Sequence, residues 1–514
     1  MARYSKFKYS AAKYGATSTL NLLWGLEVDW DNDGLFSGAV ESTRLKSFSI
    51  TRGREGMFSS AAGGESRFAR MQVGECTLIL DNHDRRYDPW YATSLLYPGV
   101  QPGREMRLRV KNGSAGSIYN LFRGKIDEIP SAGGQRDALV QIKALDGWRI
   151  LSDRQATVAL RTNTTADVLI GDVLDDIGWL ATWGRSLGVG SDTISYGWVN
   201  DQSAFDAIHD LTESEMGLTY IGGDGKIYFK SRHTLLLEAA ALALTQSEVG
   251  DEPEINNPWD AVKNKVSVRA YPRQLAALGE IWRLDEIRAV TPGSSITIWG
   301  TFRDQNYNET IAQGVIDPAA TTDYTMNTQA DGLGSDLTGN FTVTPSIFAG
   351  SVKLVIVNGS AYEGYITLLK IRGQALESLN VSASISENTA SQTSYGKRQL
   401  TLELPFQQST LVANDLSDWL LSWLTSPLPT VVVEITNRPT IQFAYELGTL
   451  ITFTSAYYGI NHSFRIAKIH HESLGSMQSI RTRWTLEPAA AFQAYWQLGV
   501  AGYDELGVNT RLAF

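Results

Sequence analysis

At 514 residues with 43% hydrophobic side chains, the chain can bury several cores, so more than one domain is expected. A formal charge of −10 speaks against wholesale nucleic-acid binding, which needs a basic face, and leaves room only for a local basic patch. The single cysteine, Cys76, excludes an intrachain disulfide and a zinc site made of cysteine alone; within an apolar run it reads as a small buried hydrophobe.

Gly (46), Tyr (21) and Trp (14) are plentiful, the mix of a β-rich, loop-rich chain with aromatics available for packing or subunit contacts. No stretch approaches 18 consecutive apolar residues, so no membrane span is expected. Residues 1–23 carry Lys, Tyr, Ser and Ala without stable periodicity and read as an N-terminal arm, not a signal peptide. Residues 24–150 read as an all-β domain, with strands expected over Trp24–Trp30, Leu45–Arg52, Cys76–Leu80, Met106–Lys111, Ser117–Ile126 and Ala138–Leu145. Glu105-Met-Arg-Leu-Arg-Val110 alternates cleanly, placing Met106, Leu108 and Val110 on one face and Arg107 and Arg109 on the other. A long Asp-, Asn-, Tyr-, Pro- and Gly-rich connection precedes it, including Asp81-Asn-His-Asp84 and two Pro-Gly turns.

Residues 151–255 change character to α+β. Val168, Leu169, Val173, Leu174 and Ile177 share a helical stripe between a Thr164 or Thr165 N-cap and Gly178. A second helix fits Ser203–Met216, followed by a hairpin over Leu218–Phe229 that turns at Gly-Asp-Gly. Asn264-Lys-Val-Ser-Val-Arg269 is a short strand. Residues 275–395 are Thr-, Ser- and Gly-rich and read as an inserted β domain, with Ser295–Trp299 and Val352–Val357 among its apolar or alternating runs. From Arg398 the chain predicts a strand (Gln399–Leu404), an amphipathic helix (Asn414–Leu424) stopped before Pro427 and Pro429, and four more strands to Leu486. Residues 491–514 read as a C-terminal tail.

Leu80-Asp-Asn-His-Asp-Arg-Arg-Tyr-Asp-Pro89 followed by Leu95-Leu-Tyr-Pro-Gly-Val-Gln-Pro-Gly-Arg-Glu-Met-Arg-Leu-Arg-Val110 is similar to the N-terminal region of tail-tip and baseplate hub proteins of tailed bacteriophages. Val28-Asp-Trp-Asp-Asn-Asp-Gly34, Ile50-Thr-Arg-Gly-Arg54, Leu121-Phe-Arg-Gly-Lys-Ile-Asp127 and Ala144-Leu-Asp-Gly-Trp148 extend the resemblance in the same order. It implies a mainly β, multidomain fold with two tube-type barrel or sandwich domains, over 24–150 and, discontinuously, 256–274 with 396–490, a helical-hairpin part and an inserted β domain. It also implies a homotrimer, whose two tube-type domains per chain would present six similar units to a six-fold tail ring. The partners so implied are a tail tube or distal tail ring protein, a tape measure protein and a central spike or fibre protein. The location would be the tail tip of the virion, after assembly in the host cytoplasm. No enzymatic activity, cofactor, specific nucleic-acid binding or membrane span is expected. The alternatives are a tail protein that binds host-surface carbohydrate, with Trp282 and Trp299 as candidates against a favoured role in core packing, and a cell-wall hydrolase.

Asp29-x-Asp31-x-Asp33-Gly34 matches the first half of an EF-hand calcium loop, but position twelve is Val40 and Glu41 comes one residue late. A turn capped by Asx side chains is the favoured reading; a bound cation would take Asp29, Asp31 and Asp33 as ligands. Gly184-Arg-Ser186-Leu-Gly188 has the letters of a nucleophile elbow without the strand–turn–helix setting that elbow needs. His83, His209, His233, His462, His470 and His471 show no metalloprotease spacing, and surface or interface positions are expected for them. Asp175-Asp176 and Glu213/Glu215 read as solvated helix faces, the only support for a two-carboxylate hydrolase.

Overall fold

A computed structural model describes residues 21–36, 41–60, 66–130, 138–249 and 253–489. The expected N-terminal arm (but for its last three residues) and C-terminal tail lie outside these residues. The described residues are 46% strand and 16% helix, divided among several sheets with no closed barrel among them, so the mainly β, multidomain reading holds.

The largest sheet has twelve strands. Its order runs Leu22–Val28, Glu105–Asn112, Ile118–Glu128, Leu139–Leu145, Gln72–Asp81, Leu45–Gly53, Ile460–Ser473, Ile480–Pro488, Thr430–Thr436 and Glu254–Asn256. Leu450–Ser455 pairs with Ile460–Ser473, and Leu242–Thr245 pairs with Leu450–Ser455 in parallel. Period-two alternation sets the buried face: Met106, Leu108 and Val110 point inward to Leu22, Trp24, Leu26 and Val28, while Arg107 and Arg109 point away.

The strand Ile460–Ser473 joins the two ends of the chain. Its first half pairs with Leu450–Ser455 and its second half, from Lys468, with Leu45–Gly53. Gly53 sits at the crossover with φ +121°, where a β-carbon would lie 2.2 Å from the Ala467 carbonyl oxygen. Only glycine tolerates that dihedral and that approach, so Gly53→Ala should lower stability by about 1–3 kcal/mol or more. Urea unfolding checks this; a change inside about 0.5 kcal/mol would show that the crossover is loose.

The first strand's free edge is closed by side chains. The Leu22 N–H donates to Gln478 Oε1 and Gln478 Nε2 donates to the Leu22 carbonyl, both at 2.8 Å. Trp24 Nε1 donates to the Met477 carbonyl at 2.7 Å, and the Leu26 N–H to Ser42 Oγ at 2.9 Å. The turn after Ile460–Ser473 thus covers an edge that would otherwise be open to another strand.

A five-stranded sheet, ordered Ser382–Glu387, Lys265–Ala270, Gln399–Glu403, Ser66–Phe68 and Phe58–Ser60, carries the helix Thr410–Leu424 on one face. Ala413, Leu416, Leu420 and Leu424 form that helix's buried stripe against Val266, Val268, Leu400 and Leu402. The helix starts four residues before its sequence-predicted start because Ser409 Oγ accepts the Val412 N–H. Lys265–Ala270 and Gln399–Glu403, on either side of the 275–395 segment, pair in parallel; the strands from 430 onward belong to the large sheet.

Between 273 and 378, the fifteen-residue strand Gly364–Ser378 gathers five short strands and packs against a three-stranded sheet of Ser295–Thr301, Ser351–Asn358 and Phe341–Ile347. Between 147 and 237, the helices Ala166–Asp176 and Ala204–Ser214 pack with the ribbon Gln155–Thr164/Ile194–Ser203 and the hairpin Leu218–Ile221/Ile227–Lys230. Their core continues without a break into Phe453, Phe464 and Trp484 of the large sheet.

Candidate assembly surface

The connection from Asn82 to Arg104 leaves the large sheet between Gln72–Asp81 and Glu105–Asn112 and is held in place residue by residue. Asn82 is buried; its backbone N–H donates to the Ala138 carbonyl at 2.6 Å and its Oδ1 accepts the Tyr87 N–H at 2.9 Å. Tyr87 is fully buried, and its hydroxyl donates to the buried Glu41 carboxylate, which also accepts from Arg86 Nη2 at 2.9 Å. Burial and the adjoining carboxylate both push the Tyr87 phenol far above its ordinary value, so it stays a donor. Arg44 makes a forked pair with Asp84 at 2.7 and 2.6 Å, Arg85 bonds Asp88 at 2.6 Å, and Ser94 Oγ donates to the Arg86 carbonyl at 2.7 Å. Arg104 Nε closes the loop on the Gly99 carbonyl at 3.0 Å.

A loop held this way would be expected to tuck its apolar side chains inward. Instead Trp90 is 83% exposed, Leu95 91% and Tyr97 51%. Ordering such side chains on a fixed frame costs conformational entropy before a partner arrives, which lowers the cost of association later. On the adjacent strands Glu27 is buried and clasped by Arg107 Nε at 2.5 Å and Arg109 Nη2 at 2.6 Å, so one carboxylate partly offsets the two guanidinium groups.

The residues singled out from the sequence fall as follows. Asp29 is buried and caps a turn, accepting the N–H groups of Asp33 (3.2 Å) and Gly34 (2.9 Å), while Asp33 accepts from the Leu35 N–H at 2.8 Å. Asp31 and Asp33 are exposed, and no three acidic, His or Cys side chains gather as a metal site among the described residues. Ser186 is exposed on a three-residue strand paired in parallel with Ile227–Lys230, with no helix after it. Glu213 and Glu215 are not solvated: Glu213 binds Arg70 together with Asp206 and Asp210, and buried Glu215 accepts the N–H groups of Ser191 and Asp192. Asp175 pairs with Arg185 at 2.8 Å, and Asp176 accepts the Thr157 N–H.

Two histidines expected at the surface are buried instead. The His209 Nδ1–H donates to the Phe205 carbonyl at 2.8 Å, and His471 Nδ1 meets Thr482 Oγ1 at 2.8 Å. His470, one residue away, points to the opposite face and bonds Thr51 Oγ1. Burial pushes both His209 and His471 down to about 3. The unfolded chain binds protons below about pH 6.5 that the native state refuses, so each histidine makes stability rise with pH between about 3 and 6.5. Asp146, pushed up to about 7 by burial, acts in the other direction above about pH 4. Replacing His471 with glutamine, which can still bond Thr482, should remove about 2 kcal/mol of the stability lost between pH 7 and 5. Urea midpoints at both pH values measure this, and an unchanged acid limb would reject it.

Trp282 packs over Gly300 toward the inserted segment's core, whereas Trp299 does not pack inward and is 60% exposed. Sequence reasoning missed Glu41 and Tyr87 as the anchors of the loop, since nothing marks two residues 46 positions apart as partners. Among the described residues, no helix is long and apolar enough to cross a membrane.

No protein-family model and no curated protein matches the sequence. Among solved structures, the chain is similar to the 43 kDa tail protein of prophage MuSo2 from Shewanella oneidensis, with 10% identity, a TM-score of 0.46, and coverage of 91% of this chain and 97% of that one. It is similar to a tail protein from Neisseria meningitidis MC58, with 10% identity, a TM-score of 0.47, and coverage of 92% and 99%. It is also similar to prophage tail protein gp18 from Listeria monocytogenes EGD-e, with 9% identity, a TM-score of 0.43, and coverage of 90% and 94%. Those three are tail proteins, the class to which the sequence bears its resemblance.

Proposed function

We propose that the chain is a structural component of a phage tail, the hub at the tail tip or baseplate that joins the tail tube to the central spike or fibre. The observation that carries this reading is the edge-to-edge pairing of Leu45–Gly53 with Ile460–Ser473. It sets an N-terminal and a C-terminal group of strands side by side in one sheet. Three copies around an axis would offer six such groups to a six-fold ring, matching three-fold to six-fold symmetry without a second gene product. The Asn82–Arg104 loop supplies the contact: a fixed frame with Trp90, Leu95 and Tyr97 held outward suits a ring neighbour better than a diffusing ligand. Tail tube or ring protein, tape measure protein and spike or fibre are the partners this role requires, and the role needs no catalysis.

Light scattering on the purified protein at several concentrations tests the proposal. A trimer independent of concentration is expected. A monomer that also fails to bind tail tubes or rings would reject the hub role. Trp90→Ser with Leu95→Ser should leave the unfolding midpoint within about 0.5 kcal/mol of the parent, because neither side chain is buried. The same pair should abolish self-association or attachment to tails, and retained assembly would show that the loop is not the contact. Clearing of a peptidoglycan gel by the parent protein would overturn the non-enzymatic part.

A further inference from the structure

We propose that the outer face of the three-stranded sheet in the inserted segment binds a carboxylate-bearing sugar, with the Trp299 ring as its platform and the Lys353 ammonium as partner of the carboxylate. The strands Ser295–Thr301, Phe341–Ile347 and Ser351–Asn358 contain a single charged residue, Lys353. The chain as a whole has 19% charged residues and a net charge of −10. Within these three strands an anion meets a cation and no carboxylate, and Lys353 has no ion-pair partner among the described residues.

Register places the recognition groups side by side. Trp299 lies opposite Lys353, which lies opposite Ser346; Thr297 lies opposite Val355, which lies opposite Thr344. The inward alternates Val352, Leu354 and Ile356 are buried, so the named residues share the outer face. Trp299 is stacked on Phe348, with ring centroids 5.5 Å apart and planes at 27°, and Lys353 Nζ stands 5.9 Å from the indole centroid. The stack fixes the indole before any ligand arrives, which is the condition for a weak, shallow site to work.

The chemistry selects among ligands. An exposed indole face carries negative charge density that favours the C–H-bearing face of a pyranose. Neighbouring hydroxyls of Thr297, Thr344 and Ser346 can both donate and accept, as sugar hydroxyls require. A single cation is too little for a nucleic-acid backbone, which needs many, and the flanking threonines dilute the apolar area a protein partner would need. One sugar carboxylate fits one ammonium.

Calorimetric titration of the full-length protein with oligogalacturonate, its methyl-esterified form and neutral dextran tests the site. The acidic oligomer should bind at least tenfold more tightly than the ester, and salt should weaken only the acid. Trp299→Ala should weaken both at least tenfold, while Lys353→Gln should equalise acid and ester. No binding by the parent protein, equal affinity for acid and ester, or full affinity in Trp299→Ala each overturns the proposal. Oligomeric mass should be the same in both variants, so failure here is distinct from failure of the hub reading.

Discussion

Glu446→Ala should cost about 3–5 kcal/mol, more than any substitution of its partner Arg52 by an apolar residue of similar length. Arg52 is buried, and its two terminal nitrogens meet Glu446 at 2.8 and 2.9 Å while one also donates to the Ile221 carbonyl at 3.2 Å. Glu446 is about one-third exposed and accepts the Gly223 N–H as well. The pair thus ties Leu45–Gly53 to the Leu218–Ile221/Ile227–Lys230 hairpin and to the chain entering the last strands. Removing Glu446 strands a guanidinium that cannot lose its proton in the interior. Removing Arg52 leaves a carboxylate that already reaches water. The order Glu446→Ala worse than Arg52→Met is therefore the test, read by urea unfolding, and the reverse order would refute the argument. Asp146, pushed up to about 7 in the parent and close enough to feel Arg52, should ionise at lower pH in Glu446→Ala as it becomes the nearest counter-charge.

Glu41→Ala is expected to cost about 3 kcal/mol and to free the Asn82–Arg104 loop. The substitution leaves the buried Tyr87 hydroxyl without an acceptor and removes the partner of Arg86 at once. Glu41→Gln keeps one acceptor oxygen and should recover about half. Amide hydrogen exchange of residues 82–104 reads the loop directly: fast exchange in Glu41→Ala with the neighbouring strands still protected is the expected pattern. Assembly should fail in this variant although Trp90, Leu95 and Tyr97 are untouched. Normal exchange together with normal assembly would mean that the proposed contact does not depend on the frame beneath it.

Local periodicity was readable where burial is one-sided. Met106, Leu108 and Val110 mark their strand, and the helix Ala166–Asp176 follows Thr165 as its stripe predicts, although Val168 of that stripe is exposed, Ile170 is buried in its place and Thr165 makes no side-chain cap bond. Where local chemistry and burial disagree, the sequence misled. Gln155–Thr164 and Ile194–Ser203 pair as a ribbon through polar, irregular stretches, and Thr389–Tyr395 is a helix capped by Asn388 at the end of a segment that reads as β. The loop's anchor, Glu41 to Tyr87, and the Arg52–Glu446 pair depend on three-dimensional closure that no window of sequence contains. Trp299 was expected to pack inward on hydrophobicity alone, and only the register of its sheet turns it outward.

The order of synthesis gives the Leu45–Gly53 pairing a temporal meaning. Its strand mate, Ile460–Ser473, leaves the ribosome near the end of the chain, at about 5–20 residues per second some tens of seconds later. Until then one flank of the N-terminal strands has no neighbour, and the groups that seal the other, the Met477 carbonyl and the Gln478 side chain, do not yet exist. A nascent chain is therefore unfinished on both flanks while the Trp90 loop can already form. Contacts so distant along the chain fold slowly. A product truncated before Ile460 would lack the seam and the seal together.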